Sequence, residues 1–363
     1  MTDAVVRFEN LVKIFAEGSK REVRAVDDFS LSVARGDLVT LLGPSGCGKT
    51  TSLRILAGFE TATAGNVYID GHRVNDLPPQ NRSTSMVFQS YGLFPHMTVF
   101  ENVAYGLRVK HVPRSEIRVQ VRDVLALVGL VGLESRSVAK LSGGQQQRVA
   151  LCRAIITKPH VLLFDEPLSN LDAKLRKGTR EQIRQLQQEL EITSVYVTHD
   201  QAEAMSISDW VAVMHDGKLQ QLGSAEEIYS QPANRFVADF IGEANLLAAR
   251  VARSEATGIA ISLHGREIAL DRFGDVFSAN QEVDVVVRPE AMDLVEPSDG
   301  DLSATVRFSH YTGSIVTYTM QLPDDEEISV QVPNPTETGV LQTGQLVGLR
   351  LHRRSLHVLE RKG

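Results

Sequence analysis

The sequence predicts an α/β domain built on a parallel sheet with a helical subdomain inserted in it, followed by a small all-β domain. Three observations carry this reading. Continuous apolar runs (LVTLL from Leu38, VLLFD from Val161, SVYVT from Ser194) each pass into a stretch of helical period, as strands buried on both faces and their crossover helices do. The first run leads directly into Gly43-Pro44-Ser45-Gly46-Cys47-Gly48-Lys49-Thr50, which fits G-x-x-x-x-G-K-T between a strand and a helix. After Ile241-Gly242 the texture changes to short β-branched runs separated by Gly, Asp, Pro and Asn.

Taken in order, VVRFENL and AVDDFSLSVARGD alternate apolar and polar residues and read as antiparallel strands closed by a turn at Gly36-Asp37. Helices are expected over 49–57, 174–190 and from 200 onward. Between 91 and 159 strands vanish, and helices are expected over 99–107, 114–128 and 145–157, which makes this stretch the helical insert. Beyond 241, the runs GIAISL, EVDVVVRP, SATVRF, SIVTYTMQL and ISVQV are strands. They fall into two blocks, 246–295 and 302–359, that suggest a pair of related small barrels. The expected domains are therefore 1–244 and 245–363.

Composition agrees with a folded chain of two or three domains: 363 residues, 42% hydrophobic and 23% charged, unlike disordered, collagen-like or low-complexity sequences. No apolar run approaches the length of a membrane span, and the start MTDAVVRFEN lacks the basic-then-apolar pattern of a signal peptide, so a soluble, unexported chain is expected. The net charge of −7 is uneven: residues 246–363 carry −6, which argues against a nucleic-acid partner. Two cysteines are too few for a disulfide framework and fit a reducing cytoplasm.

The phosphate chemistry starts at the glycine-rich loop. Gly43, Gly46 and Gly48 let the backbone wrap a phosphate with its N–H groups, and the following helix adds the positive end of its dipole. Pro44, Ser45, Cys47 and Thr51 complete the nucleotide-contacting stretch. Lys49 is placed to reach the β- and γ-phosphates, and Thr50 to put its hydroxyl on Mg²⁺. A second metal anchor belongs at the end of a neighbouring parallel strand, where Asp165 stands. Glu166, one residue on, is the candidate general base for an attacking water.

Further strings then fall in order: Gln89 in VFQS, Leu141-Ser142-Gly143-Gly144-Gln145, Ser169-Asn170-Leu171-Asp172, and His199 in VTHD. With the two above, they resemble the ATP-hydrolysing subunit of an ATP-binding cassette (ABC) transporter, continuously from about residue 5 to 244. The resemblance implies a P-loop NTPase (RecA-like) cassette that uses ATP and Mg²⁺. It implies that Ser142, Gly143, Gly144 and Gln145 form a second anion cradle closing on ATP held by another subunit, in an ATP-dependent homodimer with two composite sites. His199 would hydrogen-bond the γ-phosphate, Gln89 would hold Mg²⁺ or the attacking water, and Asp172 would reach across the dimer. An aromatic ring usually stacks on the adenine; Phe15 is the candidate, with Arg21 and Val23 as alternatives. Read without the family, LSGGQ is a loop with a helix cap, His199 a strand cap, Asp172 an N-cap and Phe15 core.

The segment from Val87 to Val103 resembles importer subunits, the spermidine/putrescine group above all, and its aromatics Tyr91, Phe94 and Phe100 are a candidate socket for a permease helix. The tail with Arg288-Pro289-Glu290 is similar to the TOBE domain, an OB-fold relative. The resemblance thus implies two transmembrane permease subunits, an external substrate-binding protein, and a peripheral position on the cytoplasmic face of a bacterial inner membrane. Polyamine leads as cargo, with ferric iron, sulfate, sugar and other small solutes as alternatives, and a cassette acting on ribosomes or DNA as the rival from another class. Cys47, at a helix N-terminus beside Lys49, is expected to have a lowered thiol pKa; Cys152 reads as helix core.

Overall fold

A computed structural model describes residues 4–255, 258–271 and 277–361. The chain divides after Ala225 into two compact units.

The first unit opens with β1 (Ala4–Phe15) and β2 (Val23–Ala34), paired antiparallel with Phe8 opposite Leu31 and Val6 opposite Val33. Their alternation buries Val6, Phe8, Leu11, Phe29, Leu31 and Val33 on one face. There follow β3 (Leu38–Leu42), α1 (Lys49–Ala57), β4 (Ala64–Ile69), β5 (His72–Arg73) and β6 (Thr84–Val87). Then come α2 (Val99–Val109), α3 (Arg114–Leu127), α4 (Gly143–Ile155), β7 (Val161–Asp165), α5 (Ala173–Glu189), β8 (Thr193–Thr198), α6 (Gln201–Ile207), β9 (Trp210–His215) and β10 (Lys218–Gly223).

Two sheets result. One has the order β2-β1-β4-β5; the other has the order β10-β9-β3-β8-β7-β6, parallel throughout except for β10, which pairs antiparallel with β9. Every residue of β3, β7 and β8 is buried, which is why these strands read as unbroken apolar runs. One face of the parallel sheet packs through Val39, Leu41, Leu163 and Val197 on α1 and the first sheet. The other face, with Phe164 and Tyr196, joins the core of the helical insert through Val103, Val121, Leu125, Val149 and Cys152. The insert lies between β6 and β7 as expected. Its first helix is fixed by a capping box in which Thr98 and Glu101 satisfy each other's backbone N–H.

The second unit carries α7 (Ala225–Ser230), α8 (Arg235–Phe240), β11 (Asn245–Glu255), β12 (Gly258–Leu263), β13 (Arg266–Asp271), β14 (Glu282–Val287) and β15 (Met292–Val295). It continues through β16 (Leu302–Tyr311), β17 (Ile315–Gln321), β18 (Glu327–Pro333), α9 (Pro335–Thr338), β19 (Leu346–Leu351) and β20 (His357–Glu360). The strands form two antiparallel five-stranded sheets, β13-β12-β11-β14-β20 and β15-β19-β16-β17-β18, around one shared core that includes Val251, Ile261, Val285, Val306, Tyr318 and Val330.

This corrects the expectation of two successive barrels. The last strand, β20, returns to pair with β14, while β15 of the first block pairs with β19 of the second. The blocks interlock because an edge strand is completed by whichever strand reaches it in space. Helices α7 and α8 precede the expected domain start at 245 yet lie in the second unit. Arg288 explains this: its guanidinium donates to the carbonyls of Tyr229, Ala238, Ile241 and Glu243, and Ala238 packs on Val286 and Leu359.

Candidate nucleotide site

The glycine-rich loop leaves the C-terminal end of β3 and enters α1. Gly46 and Gly48 adopt positive φ, +84° and +100°, and Gly48 is the N-cap of α1. A Cβ on Gly48 would meet the Ala25 carbonyl oxygen at 2.3 Å, and one on Gly43 the Met214 carbonyl oxygen at 2.2 Å. A Cβ on Gly46 would meet nothing within 4 Å. The first two glycines thus press the loop onto the sheet, while Gly46 and exposed Ser45 form its open rim. Pro44 is half-buried, and Thr51 lies half-buried in the first turn of α1.

Lys49 is buried and turns back into its own loop, donating to the carbonyls of Gly43 at 2.7 Å and Pro44 at 2.8 Å, with its Nζ 3.6 Å from Cys47 Sγ. The loop therefore holds the ammonium that is expected to meet phosphate. Cys47 itself departs from expectation. Burial pushes its thiol up, and this outweighs the lowering by Lys49. The premise of a reactive thiolate fails for this reason. Cys152 is core as read: burial pushes its thiol up to about 12, and its Sγ faces the Val124 carbonyl at 3.4 Å.

At the adjoining strand end, Thr50 Oγ1 donates to Asp165 Oδ1 at 3.2 Å. Asp165 is buried, and desolvation raises its carboxyl pKa against the lowering from Thr50 and Arg54. The two residues are brought together by β3 and β7 being neighbours but one in the sheet. Two oxygen donors, one of them a carboxylate short of compensating charge, suit a hard cation such as Mg²⁺.

Glu166 follows Asp165 with φ +45°, its N–H held by the Val197 carbonyl at 3.0 Å. Its Oε2 lies 3.2 Å from Nδ1 of His199, which stands exposed one residue beyond β8. Gln89 is exposed on the turn after β6, two residues past Val87, which registers with Phe164 of β7. Its carbonyl accepts from Asn170 Nδ2 at 2.8 Å. This bond joins the start of the insert to the Ser169–Asp172 turn, and an Asn in a turn is the sequence signal that marks such a side-chain bond.

The signature string lies at the head of α4. Ser142 is the N-cap, accepting from the Gln145 N–H, while the Gln145 side chain accepts from the Ser142 N–H. A Cβ on Gly144 would lie 3.0–3.3 Å from the Leu175 side chain, and one on Gly143 3.2 Å from Leu171 Cδ2, so these glycines also allow α4 to approach α5 closely. Asp172 is the N-cap of α5, its Oδ1 accepting from the Leu175 N–H at 2.9 Å.

Phe15, at the end of β1, is exposed rather than core, with Lys13 Nζ 4.8 Å from its ring centroid. Arg21 and Val23 are exposed as well. Among the aromatics of the candidate permease socket, Tyr91 is buried and Phe100 packs against the insert core, whereas Phe94 lies tilted against exposed Tyr105, with ring centroids 4.8 Å apart, and carries Arg153 over its ring. No helix among the described residues is long and apolar enough to cross a membrane.

Comparison with known proteins agrees with this geometry. The ABC transporter family pattern matches residues 26–169, and the TOBE domain pattern matches residues 285–359. The chain is 44% identical over 361 residues to the spermidine/putrescine import ATP-binding protein PotA of Desulfitobacterium hafniense, covering 99% of each. It is 48% identical over 305 residues to the Fe(3+) ions import ATP-binding protein FbpC of Photorhabdus laumondii, covering 84% of this chain and 83% of that one. Among solved structures, the ATP-binding cassette MJ0796, in a dimeric post-hydrolysis state bound to ADP and Pi, superposes with a TM-score of 0.54 at 30% identity, over 61% of this chain and 98% of that one.

Proposed function

The chain belongs to the ABC transporter family of ATP-binding subunits, and on that premise we propose that it energises import of a polyamine. It hydrolyses ATP. The observation that carries the reading is the convergence of four side chains beside the glycine-rich loop: Thr50 on Asp165, and Glu166 on His199.

In the proposed mechanism the loop N–H groups and Lys49 bind the phosphates, Lys49 exchanging its two carbonyl partners for phosphate oxygens. Thr50 and Asp165, with Gln89 at the neighbouring strand end, would hold Mg²⁺, which would supply positive charge to offset that of the phosphate oxygens. Glu166 takes the proton of the attacking water as its oxygen bonds to the γ-phosphorus and the bond to the β-phosphate oxygen breaks. His199, beside Glu166, would donate a hydrogen bond from a ring N–H to the γ-phosphate. Phe15 stacks on the adenine, with Lys13 behind its ring.

Ser142, Gly143, Gly144 and Gln145, at a helix N-terminus, suit the proposed second cradle, which closes on ATP held by a second copy. Asp172 reaches toward that interface. The homodimer works with two membrane permease subunits and a separate substrate-binding protein at the inner membrane. Polyamine is supported by the spermidine/putrescine import relative, 44% identical over 361 residues. Ferric iron is the second reading, favoured by one Fe(3+) import relative at 48% identity over 305 residues and another at 44% over 98% of this chain.

The test is uptake of labelled spermidine, putrescine and ferric iron in a strain lacking this chain, complemented with the parent or with Glu166→Gln. Loss of polyamine uptake restored by the parent alone is the expected result. Loss of iron uptake instead would replace the cargo, and loss of neither would overturn both the polyamine and the iron reading.

A further inference from the structure

Gln89 and the backbone beside His199 are both tied to one turn. Asn170 of the Ser169–Asp172 turn donates to the Gln89 carbonyl at 2.8 Å. The next residue, Leu171, is tied through Arg176, which stands in the first turn of α5 and reaches back past the N-cap. Arg176 Nη2 donates to the Leu171 carbonyl at 3.2 Å and Nη1 to Asp200 Oδ2 at 3.2 Å, while Nε lies 3.9 Å from Glu203 Oε1. Asp200 is the residue after His199.

The backbone on both sides of His199 is fixed to α6. Thr198 Oγ1 accepts from the Asp200 N–H at 3.0 Å and donates to Glu203 Oε2 at 2.8 Å, and Asp200 Oδ1 caps α6 by accepting from the Glu203 N–H at 3.1 Å. With Oδ1 engaged there, Oδ2 is the atom through which Arg176 joins this backbone to the Leu171 carbonyl. His199 itself is exposed, and its imidazole reaches Glu166 from the backbone so held. A planar guanidinium suits the task, since its fork serves a carboxylate and a carbonyl in fixed directions at once. The link adds little to stability: the side chains of Arg176 and Asp200 are 33% and 27% exposed, so water replaces each partner when the pair is broken.

We infer that Arg176 is a positioning residue for hydrolysis: through Asp200 it fixes His199 relative to the Ser169–Asp172 turn, so that a movement of that turn is passed to the imidazole. The inference rests on the proposed role of His199 at the γ-phosphate.

Arg176→Ala, Arg176→Lys, Asp200→Asn, the double variant of Arg176→Ala with Asp200→Asn, and His199→Ala would be compared with the parent for kcat and KM of ATP hydrolysis, ATP affinity by equilibrium dialysis, and melting by circular dichroism. His199→Ala is expected to lose most in kcat. Arg176→Ala should lose about tenfold in kcat, with KM and ATP affinity within about threefold of the parent and a thermal midpoint within about 4 °C of it. Arg176→Lys should recover only part of kcat, because one ammonium cannot hold Asp200 and Leu171 together as the fork does. Asp200→Asn keeps the Oδ1 cap and replaces Oδ2 by a donor, so it should match Arg176→Ala, and the double variant should stay within about twofold of either single, since all three break one link. Parental kcat in Arg176→Ala beside an impaired His199→Ala would overturn the inference and leave the role of His199 standing. Full recovery by Arg176→Lys, losses that multiply in the double variant, or a kcat loss that comes with a collapse of the thermal midpoint would overturn it as well. Parental kcat in His199→Ala would overturn it by removing the reading on which it rests.

Discussion

Glu166 Oε2 and His199 Nδ1 stand 3.2 Å apart at the ends of two adjacent strands. The contact is built by the backbone: Asp165 registers with Val197, the Glu166 N–H donates to the Val197 carbonyl, and Glu166 takes φ +45° to aim its side chain past the sheet edge. A left-handed glutamate costs on the order of 1 kcal/mol, a strain that the register of β7 and β8 imposes and the site uses.

Glu166→Gln keeps the size and the carbonyl acceptor but removes the base. Steady-state ATP hydrolysis should fall by about 10²- to 10⁴-fold, while ATP binding by equilibrium dialysis stays within about threefold of the parent, a small change beside the tenfold-per-1.4 kcal/mol scale of affinity. A variant with parental turnover would remove Glu166 from the role of base.

Asp165 makes the opposite bargain between stability and activity. Its pKa is raised by burial, so its contribution to stability is fully present only below the unfolded carboxylate pKa and is lost as pH rises through the higher folded value. At neutral pH the charged form therefore weighs against the fold. Asp165→Asn, which still accepts from Thr50, should melt at a higher temperature than the parent at pH 7 without added nucleotide, and the gap should close as the pH is lowered toward the unfolded carboxylate range. Hydrolysis should be lost. A variant that melts lower at pH 7 would contradict the account.

Much of this site was legible because its residues sit where strand ends meet loops, and unbroken apolar runs mark such strands. Strands β3, β7 and β8, and the helices that follow them, lie within a residue or two of the expected positions. Among the strands missed, β6 has four residues and β5 two, but β4, β9, β11 and β19 are longer and lie inside their sheets. The β9–β10 hairpin had a signal that went unused, Asp216-Gly217, both with positive φ between apolar runs. Two features were beyond local reading. The partners of β15 and β20 depend on long-range closure of the tail, and the thiol of Cys47 is governed by burial, which neighbours in sequence do not reveal.

Cys47 should accordingly be slow to alkylate. With its thiol buried and its pKa pushed up, labelling by iodoacetamide at pH 7.5 should run at least about tenfold slower in the folded chain than in the urea-unfolded chain, since the thiolate is the reacting species. Mass spectrometry of the peptide would resolve it from Cys152. Labelling at the unfolded rate would restore the reactive-thiolate reading.

Arg288 should be the largest single contributor to the second unit. Its Nη1 donates to the carbonyls of Ala238, Ile241 and Glu243 at 2.7–3.0 Å, its Nη2 to Tyr229 at 2.9 Å, and its guanidinium lies 4.2 Å over the Tyr229 ring. Arg288→Ala removes the donor shared by four carbonyls and leaves a cavity, at a cost of about 3 kcal/mol or more. Arg288→Lys keeps the charge but lacks the planar fork and should recover only part of the loss. The two units can be followed separately, because the chain has a single tryptophan, Trp210, and it lies in the first. Arg288→Ala should lower the thermal transition seen by far-ultraviolet circular dichroism at sheet wavelengths while the Trp210 fluorescence transition moves little. Equal displacement of both signals would mean that Arg288 supports the whole chain rather than the second unit.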